Sequence, residues 1–144
     1  MIDAAPARRV LLVEDERVSA NLYAIALESG GFDVELAASA EEAFGRIRTR
    51  RFDLVVLDLY FPGTGGWELL SSIRERHSTA ELPIIMLSSE PNENVRASLL
   101  ALGANDFLTK PVAVPTLLKA ARDCIEAISR PTEGKLIAAC SKRG

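Results

Sequence analysis

Three apolar runs and one short mixed run of the sequence are each followed directly by a charged or hydroxylated side chain. Glu14 and Asp15 follow VLLV, and Asp58 follows LVVL. Ser88 follows PIIML, and Lys110 comes directly after DFLT. Apolar runs of this length are typical of strands covered on both faces, where an uncompensated charge is costly. Polar side chains at these positions therefore indicate a chemical site.

The residue types predict phosphoryl chemistry that depends on a divalent cation. Two carboxylates ~4 Å apart repel each other by about 4 kcal/mol at an effective dielectric constant near 20. Lys110 offsets only part of the repulsion among Glu14, Asp15 and Asp58, so a cation is expected to join them. Oxygen ligands suit Mg²⁺, with Mn²⁺ as a substitute. An aspartate beside a cation and a lysine can accept a phosphoryl group, and the Ser88 hydroxyl can donate a hydrogen bond to it.

These side chains need a scaffold that brings strand ends together, and the hydrophobic pattern predicts one. Five strand-like runs occupy 10–14, 33–37, 54–58, 83–88 and 106–109. Five amphipathic segments occupy 17–29, 40–50, 67–76, 92–102 and 113–129. Alternation of this kind predicts an α/β fold, a doubly wound five-stranded parallel sheet with helices on both faces. Such sheets bind ligands beyond the carboxyl ends of their strands.

The phase of the apolar residues predicts which helix faces are buried. In the first helix we expect Val18, Leu22, Ile25 and Ala26 to face the sheet. The predicted inward residues of the third helix are Leu69, Leu70 and Ile73. Those of the fifth helix are Leu117, Leu118, Ala121, Cys124, Ile125 and Ile128.

Length and composition place these elements in one domain. The chain has 144 residues and a net charge of −3, with no apolar run long enough to cross a membrane and no secretory signal at its N-terminus. We therefore predict a cytoplasmic protein without a membrane partner. The acidic balance argues against direct nucleic-acid binding. Periodicity fades after Arg130, which predicts a domain over 1–130 and a tail or linker over 131–144.

The chain resembles a response-regulator receiver domain, the CheY-like phosphoacceptor module of two-component signalling. The resemblance spans roughly residues 8–129. It is carried by the motifs LLVEDE, VVLDLYFPGTGGWELL, PIIMLSS and GANDFLTKP, which occur in the family's order. It implies a flavodoxin-like (βα)5 fold with strand order 2-1-3-4-5.

The resemblance also implies roles for the site residues. Asp58 would be the phosphoacceptor, receiving its phosphoryl group from a histidine-kinase phosphohistidine or a small phosphodonor. Asp15 and Asp58 would ligate the metal, with Glu14 in the same acidic cluster and the backbone carbonyl of Tyr60 completing the site. Lys110 would pair with the phosphate, and its peptide bond to the following proline would be cis.

A second group of residues would transmit the signal. Ser88 would move toward the phosphate and Phe107 would turn inward, as the switch residues of the family do. This would remodel the face made by the fourth helix (92–102), the fifth strand (106–109) and the fifth helix (113–129). The implied partners are a sensor histidine kinase or phosphotransfer protein, a downstream protein target, and a second copy in a homodimer through that face. The domain would be no enzyme beyond catalysing its own phosphorylation and dephosphorylation.

Two other functions compete with this interpretation. A phosphatase of the haloacid-dehalogenase type also uses a strand-end aspartate and Mg²⁺, but its motif requires a second acid where this chain has Tyr60. A flavodoxin-like scaffold that never takes phosphate would not need the full set of acids, lysine and hydroxyl. Tyr60 and Glu90 stand two residues after Asp58 and Ser88, positions that influence phosphate lifetime in the family. The sequence leaves open whether the receiver acts alone or within a longer regulator.

Overall fold

The computed structural model describes residues 7–59, 65–89 and 92–128, and side chains up to residue 127. The strands are β1 (Arg9–Val13), β2 (Asp33–Ala37), β3 (Leu54–Asp58), β4 (Ile84–Ser88) and β5 (Asp106–Thr109). The helices are α1 (Arg17–Ser29), α2 (Ala40–Thr49), α3 (Gly66–Arg74), α4 (Glu93–Leu102) and α5 (Val114–Ile128). The predicted alternation of five strands and five helices is confirmed, and most of their ends agree within one residue.

The strands form one parallel sheet in the order β2-β1-β3-β4-β5, as predicted. β1 and β3 are central, and their residues are buried along almost their whole length. The register sets Val13 beside Leu57 and Asp58 beside Leu87. All strands therefore end at the same edge of the sheet, and the residues that follow them meet there.

Two hydrophobic clusters cover the two faces of the sheet. On one face, α2, α3 and α4 pack on alternate strand residues such as Val55, Leu57 and Met86. On the other face, α1 and α5 pack on the intervening residues, among them Val56 and Leu87. The central strands thus bury both faces, which explains their continuous apolar runs. Within the described residues, none of the helices is long and apolar enough to cross a membrane.

The predicted inward face of α1 is largely wrong. Val18, Leu22 and Ile25 are 70%, 60% and 64% exposed, and only Ala26 of the predicted set is buried. The helix instead packs through Tyr23, Leu27 and several alanines. The periodicity could not decide between the two faces because apolar residues lie all around this helix. Small alanines let the helix approach the sheet closely, which favours the face that contains them.

The other predicted inward faces agree with the structure. The three apolar residues named for α3 are buried. In α5, Leu118 is half-buried and the remaining named residues up to position 125 are buried. The side chain of Ile128 lies outside the described part of the chain.

One partly buried cation joins the end of α3, the loop before β4 and the residues that follow α4, at the opposite edge of the sheet. The guanidinium of Arg74, the last residue of α3, donates hydrogen bonds to the carbonyl oxygens of His77, Ser78, Leu82 and Gly103. It also donates to the side-chain oxygen of Asn105. Burial lowers the pKa of Arg74 to about 10, so the group is still charged near neutral pH. Arg74 therefore fixes the end of α4 against the loop before β4.

Candidate functional site

Three carboxylates meet at the carboxyl edge of the sheet, as the sequence predicts. Glu14 follows β1 directly, and its N–H continues the β1–β2 ladder by donating to the carbonyl of Ala37 at 3.0 Å. Asp58 is the last residue of the fully buried β3. One carboxylate oxygen from each of Glu14, Asp15 and Asp58 lies within 4.8 Å of the others. Glu14 and Asp58 are buried while Asp15 is exposed, so the cluster opens to solvent on one side.

Lys110 joins two of these carboxylates. Its Nζ donates to Glu14 Oε1 at 2.8 Å and to Asp58 Oδ1 at 2.9 Å. The Lys110 backbone N–H donates to the carbonyl of Ser88 at 2.7 Å, which continues the β4–β5 pairing. The Lys110-Pro111 peptide bond is cis, as expected. A cation from the end of β5 thus contacts acids from the ends of β1 and β3.

The electrostatics of the cluster reflect an excess of negative charge. Burial raises the pKa of Glu14, and the neighbouring Asp58 carboxylate raises it further, against the opposing effect of Lys110. Burial alone would lower the pKa of Lys110, but its bonds to Glu14 and Asp58 outweigh this and raise the pKa. One lysine shared among three carboxylates leaves the site anionic overall.

Tyr23 is a member of the site that the sequence prediction missed. It lies on the buried face of α1, and its ring centroid is 5.8 Å from Lys110 Nζ. Its hydroxyl accepts a hydrogen bond from the Val112 N–H at 3.3 Å. Tyr23 therefore supports both Lys110 and the chain that follows it. The signal that could have found it is the i, i+3, i+4, i+7 set that begins at Ala20.

Gly66 allows α3 to begin against the end of β3. The Gly66 N–H donates to the carbonyl of Leu59 at 2.9 Å. A Cβ at this position would collide with the backbone oxygens of Asp58 and Leu59. Glu68 closes the first turn by accepting from the Gly65 N–H. The close approach fixes the backbone of Asp58 from the α3 side.

The two predicted switch residues are both buried. Ser88, the last residue of β4, is almost completely enclosed. Phe107 on β5 is 6% exposed and belongs to the cluster beneath α3 and α4. Any rearrangement of Phe107 therefore starts from a side chain that already points into the core. The predicted switch roles of both residues remain predictions.

The donor set fits Mg²⁺ as the expected cation. Glu14, Asp15 and Asp58 supply only carboxylate oxygens, and Asp15 is open to solvent, which leaves room for the waters that Mg²⁺ retains. An anionic cluster with one lysine also leaves charge for a cation to neutralise. The Tyr60 carbonyl, predicted as a further ligand, and Glu90 lie outside the described residues.

Comparison with known proteins agrees with this geometry. The family model for the response regulator receiver domain matches residues 10–122. The chain is 39% identical over 110 residues to the phosphate regulon transcriptional regulatory protein PhoB of Rhizobium meliloti, covering 76% of this chain and 48% of the relative. It is 38% identical over 128 residues to the alkaline phosphatase synthesis transcriptional regulatory protein SphR of Synechococcus elongatus, covering 83% and 49%. The chain spans about half the length of these curated relatives.

Solved structures of response regulators share the fold of this chain. The chemotaxis response regulator CheY4 of Vibrio cholerae superposes with a TM-score of 0.76 at 29% identity, over 83% of this chain and 99% of that one. A probable two-component system response regulator/GGDEF domain protein gives a TM-score of 0.81 at 32% identity, over 85% of this chain and 50% of that one. With the acidic cluster, the bridging lysine and the parallel sheet already in place, the chain belongs to the response regulator receiver domain family of two-component systems.

Proposed function

We propose that Asp58 accepts a phosphoryl group in a Mg²⁺-dependent reaction and that the chain acts as a phosphorylation-controlled switch. The observation that carries this proposal is the meeting of Glu14, Asp15, Asp58 and Lys110 at one edge of the sheet. β3 is buried throughout, so the Asp58 carboxylate is held on a rigid strand end and presented to a partly open cluster. A positioned carboxylate of this kind can act as a nucleophile.

In the proposed transfer, a carboxylate oxygen of Asp58 attacks the phosphorus of a phosphohistidine or a small acyl phosphate. The new O–P bond forms as the bond from phosphorus to the donor's nitrogen or oxygen breaks, and the leaving group keeps the electron pair. Glu14, Asp15 and Asp58 would hold Mg²⁺, which when bound offsets the negative charge of the phosphoryl oxygens. Lys110 pairs with one of those oxygens, and the Ser88 hydroxyl donates to another.

Phosphorylation then changes the protein contacts of the face formed by α4, β5 and α5. Light packing of α4 supports this part of the proposal. Leu99 is the one buried side chain of α4, a helix that lies wholly within the described residues. Ser88 precedes α4 in the chain, and Phe107 belongs to the hydrophobic cluster on which α4 packs. A rearrangement of these two side chains would therefore move the helix. A homodimer through this face and a downstream protein target are the proposed outputs, with no direct contact to nucleic acid or membrane.

The proposed phosphodonor partner is a sensor histidine kinase or phosphotransfer protein, and the proposed location is the cytoplasm. The domain would catalyse only its own phosphorylation and dephosphorylation. Membership of the receiver family favours this function over the phosphatase alternative. The outputs of the longer relatives, which are named as transcriptional regulators, are not transferred to this chain.

Intact mass spectrometry after incubation with acetyl phosphate tests the proposal. We expect the wild type to gain one phosphoryl group in Mg²⁺ and none in EDTA. Asp58→Asn should gain none, while Asp53→Asn, which changes the acid directly before the first residue of β3, should behave as the wild type. An unmodified wild type, with Mg²⁺ binding demonstrated and with a phosphorylated histidine kinase as a second donor, would refute the assignment of Asp58.

A further inference from the structure

A cleft beside the C-terminal ends of α2 and α3 has no role in the proposed phosphoryl chemistry. It consists of two adjoining cavities of about 290 and 440 Å³, which share Ile47 and His77 in their walls. Phe44 lines the first cavity, and Phe52 and Leu82 line the second. Small-molecule sites typically occupy about 300–1,000 Å³ and combine an apolar lining with a few polar groups. The cleft therefore has the size and the apolar surface of a ligand site.

Positive charge is concentrated around this cleft. Charged side chains of both signs line the two cavities, namely four arginines and two glutamates: Arg48, Arg50, Arg51, Arg76, Glu75 and Glu81. Together they carry a net charge of +2, although the whole chain has a net charge of −3. A concave surface with one sign of charge attracts molecules of the opposite sign. The cleft therefore favours an anionic ligand.

Three of the arginines in the cleft lack a carboxylate partner. Arg48, Arg51 and Arg76 form no ion pair with another described residue. The fourth, Arg50, is paired with Glu35 of β2. A guanidinium group without a carboxylate partner keeps its fork of N–H donors available, and this fork matches the geometry of phosphate oxygens.

The wall shared by the two cavities is held in place from the protein side. Arg74 donates hydrogen bonds to the carbonyl oxygens of His77 and Leu82, at 3.0 and 2.9 Å. Ile47 packs against the hydrophobic cluster between the sheet and the helices α2 and α3. A site with a fixed wall loses less conformational freedom when a ligand binds, so more of the contact energy appears as affinity.

We propose that this cleft binds a small phosphate monoester with an aromatic body. The phosphate group lies between Arg48 and Arg76, and a monoester carries about 1.5–2 negative charges at neutral pH, which matches the net charge of the cleft. The aromatic body packs on Phe44 and Ile47, where it exchanges water for an apolar surface. Simple aryl phosphates and nucleoside monophosphates share this chemistry. Binding does not depend on phosphorylation of Asp58.

Amide NMR spectra of the full chain, titrated with phenyl phosphate, test the proposal. EDTA in the buffer keeps divalent cations out of the acidic cluster, so the probe finds no metal there. We expect the amide signals of Ile47 and His77 to shift, with a dissociation constant on the order of 1 mM. Inorganic phosphate and phenol, which each supply one half of the probe, should bind at least about tenfold more weakly. AMP distinguishes the two ligand sources, because tighter binding than phenyl phosphate would identify a nucleotide and weaker binding a ligand with a single ring.

Substitutions of the arginines test the position of the phosphate group. Arg48→Gln and Arg76→Gln should each weaken the binding of phenyl phosphate by about tenfold, because each removes a charged donor. Arg122→Gln changes an exposed arginine of α5, on the other face of the sheet, and should leave the binding unchanged. Circular dichroism confirms that each variant is folded.

Three results would overturn the proposal. The first is the absence of shifts at Ile47 and His77 up to about 20 mM phenyl phosphate. The second is binding of inorganic phosphate or of phenol as tight as that of phenyl phosphate, which would remove the need for the aromatic body or for the phosphate group. The third is an equal loss of binding in Arg122→Gln and in the two cleft variants, which would show attraction to positive charge in general.

Discussion

A Cβ atom added to Gly66 would stand 2.7 Å from the carbonyl oxygen of Asp58. The three atoms nearest to this Cβ all belong to the backbone of Asp58 and Leu59, so no flexible side chain can move away to relieve the contact. Gly66, the first residue of α3, can therefore pack directly against the backbone of Asp58 because it has no side chain. The position of Asp58 at the end of β3 therefore depends on its packing against Gly66 as well as on the strand itself.

We predict that Gly66→Ala destabilises the protein by about 1–3 kcal/mol, the usual cost of overpacking a tight contact. Denaturant unfolding measures the change. Gly45→Ala is the matched control because a Cβ there meets nothing within 4 Å. It should stabilise the protein by about 0.5–1 kcal/mol, since alanine favours a helix interior over glycine. Equal effects of the two substitutions would show that Gly66 can shift without cost.

Mg²⁺ is expected to stabilise the folded chain. A ligand at a hundred times its dissociation constant adds about 2.7 kcal/mol to the free energy of unfolding. The thermal midpoint should therefore rise when Mg²⁺ is added and return to its starting value in EDTA. Asp15→Asn should remove most of this rise because it takes away the solvent-facing carboxylate of the cluster. Asp33→Asn, at an exposed acid on β2, should keep the full rise.

Lys110 is expected to serve phosphoryl transfer and not metal binding. Lys110→Met removes a positive charge that competes with the cation, so the Mg²⁺-dependent thermal shift should be kept or increased. The rate of Asp58 phosphorylation should fall by about a hundredfold, the loss typical of a charged group that stabilises a transition state. Lys119→Met, at an exposed lysine of α5, should change neither quantity. A parallel loss of metal binding and phosphorylation would contradict this separation.

Tyr23→Phe separates the two roles of the tyrosine. It keeps the ring beside Lys110 but removes the acceptor for the Val112 N–H, so we expect a loss of about 1 kcal/mol in the free energy of unfolding and near-normal phosphorylation. Tyr23→Leu also removes the aromatic face near the ammonium group and should cost more. Chemical denaturation and intact mass measure the two effects. A large loss of phosphorylation in Tyr23→Phe would show that the hydroxyl itself aligns Lys110.

Arg74→Met should destabilise the chain by about 2–4 kcal/mol because it removes hydrogen bonds to several partly buried carbonyl oxygens. Arg74→Lys should recover only part of the loss, since an ammonium group cannot reach all of these acceptors at once. The exposed neighbour Arg76 provides the control, and its replacement by methionine should change stability by less than about 0.5 kcal/mol. Equal effects at positions 74 and 76 would contradict the importance of this hydrogen-bond network.

Most of the fold and the central site could be predicted from the sequence because charged residues interrupt apolar runs at the strand ends. Glu14, Asp58 and Lys110 each stand out from their local context, and parallel strands bring such ends together. The structure confirms that these three side chains are in contact. Their chemical roles remain predictions.

Features that depend on three-dimensional packing could not be read in this way. The buried face of α1 was misassigned because Leu22 and Leu27 are equally apolar in the sequence, and only the shape of the sheet surface separates them. Arg74 gave no signal because its acceptors are mostly backbone carbonyls from separate segments. Tyr23 was missed for the same reason as the face of α1.

The two ends of α4 are held differently, because Arg74 donates hydrogen bonds to Gly103 and Asn105 at the C-terminal end alone. The C-terminal end is fastened to α3 and the loop before β4, whereas Asn92 caps the N-terminal end through bonds to N–H groups of the helix's own first turn. Leu99 is the buried residue of α4, so the helix is held mainly near its C-terminal end. If α4 moves in response to phosphorylation as proposed, its N-terminal end should therefore move further than the end held by Arg74.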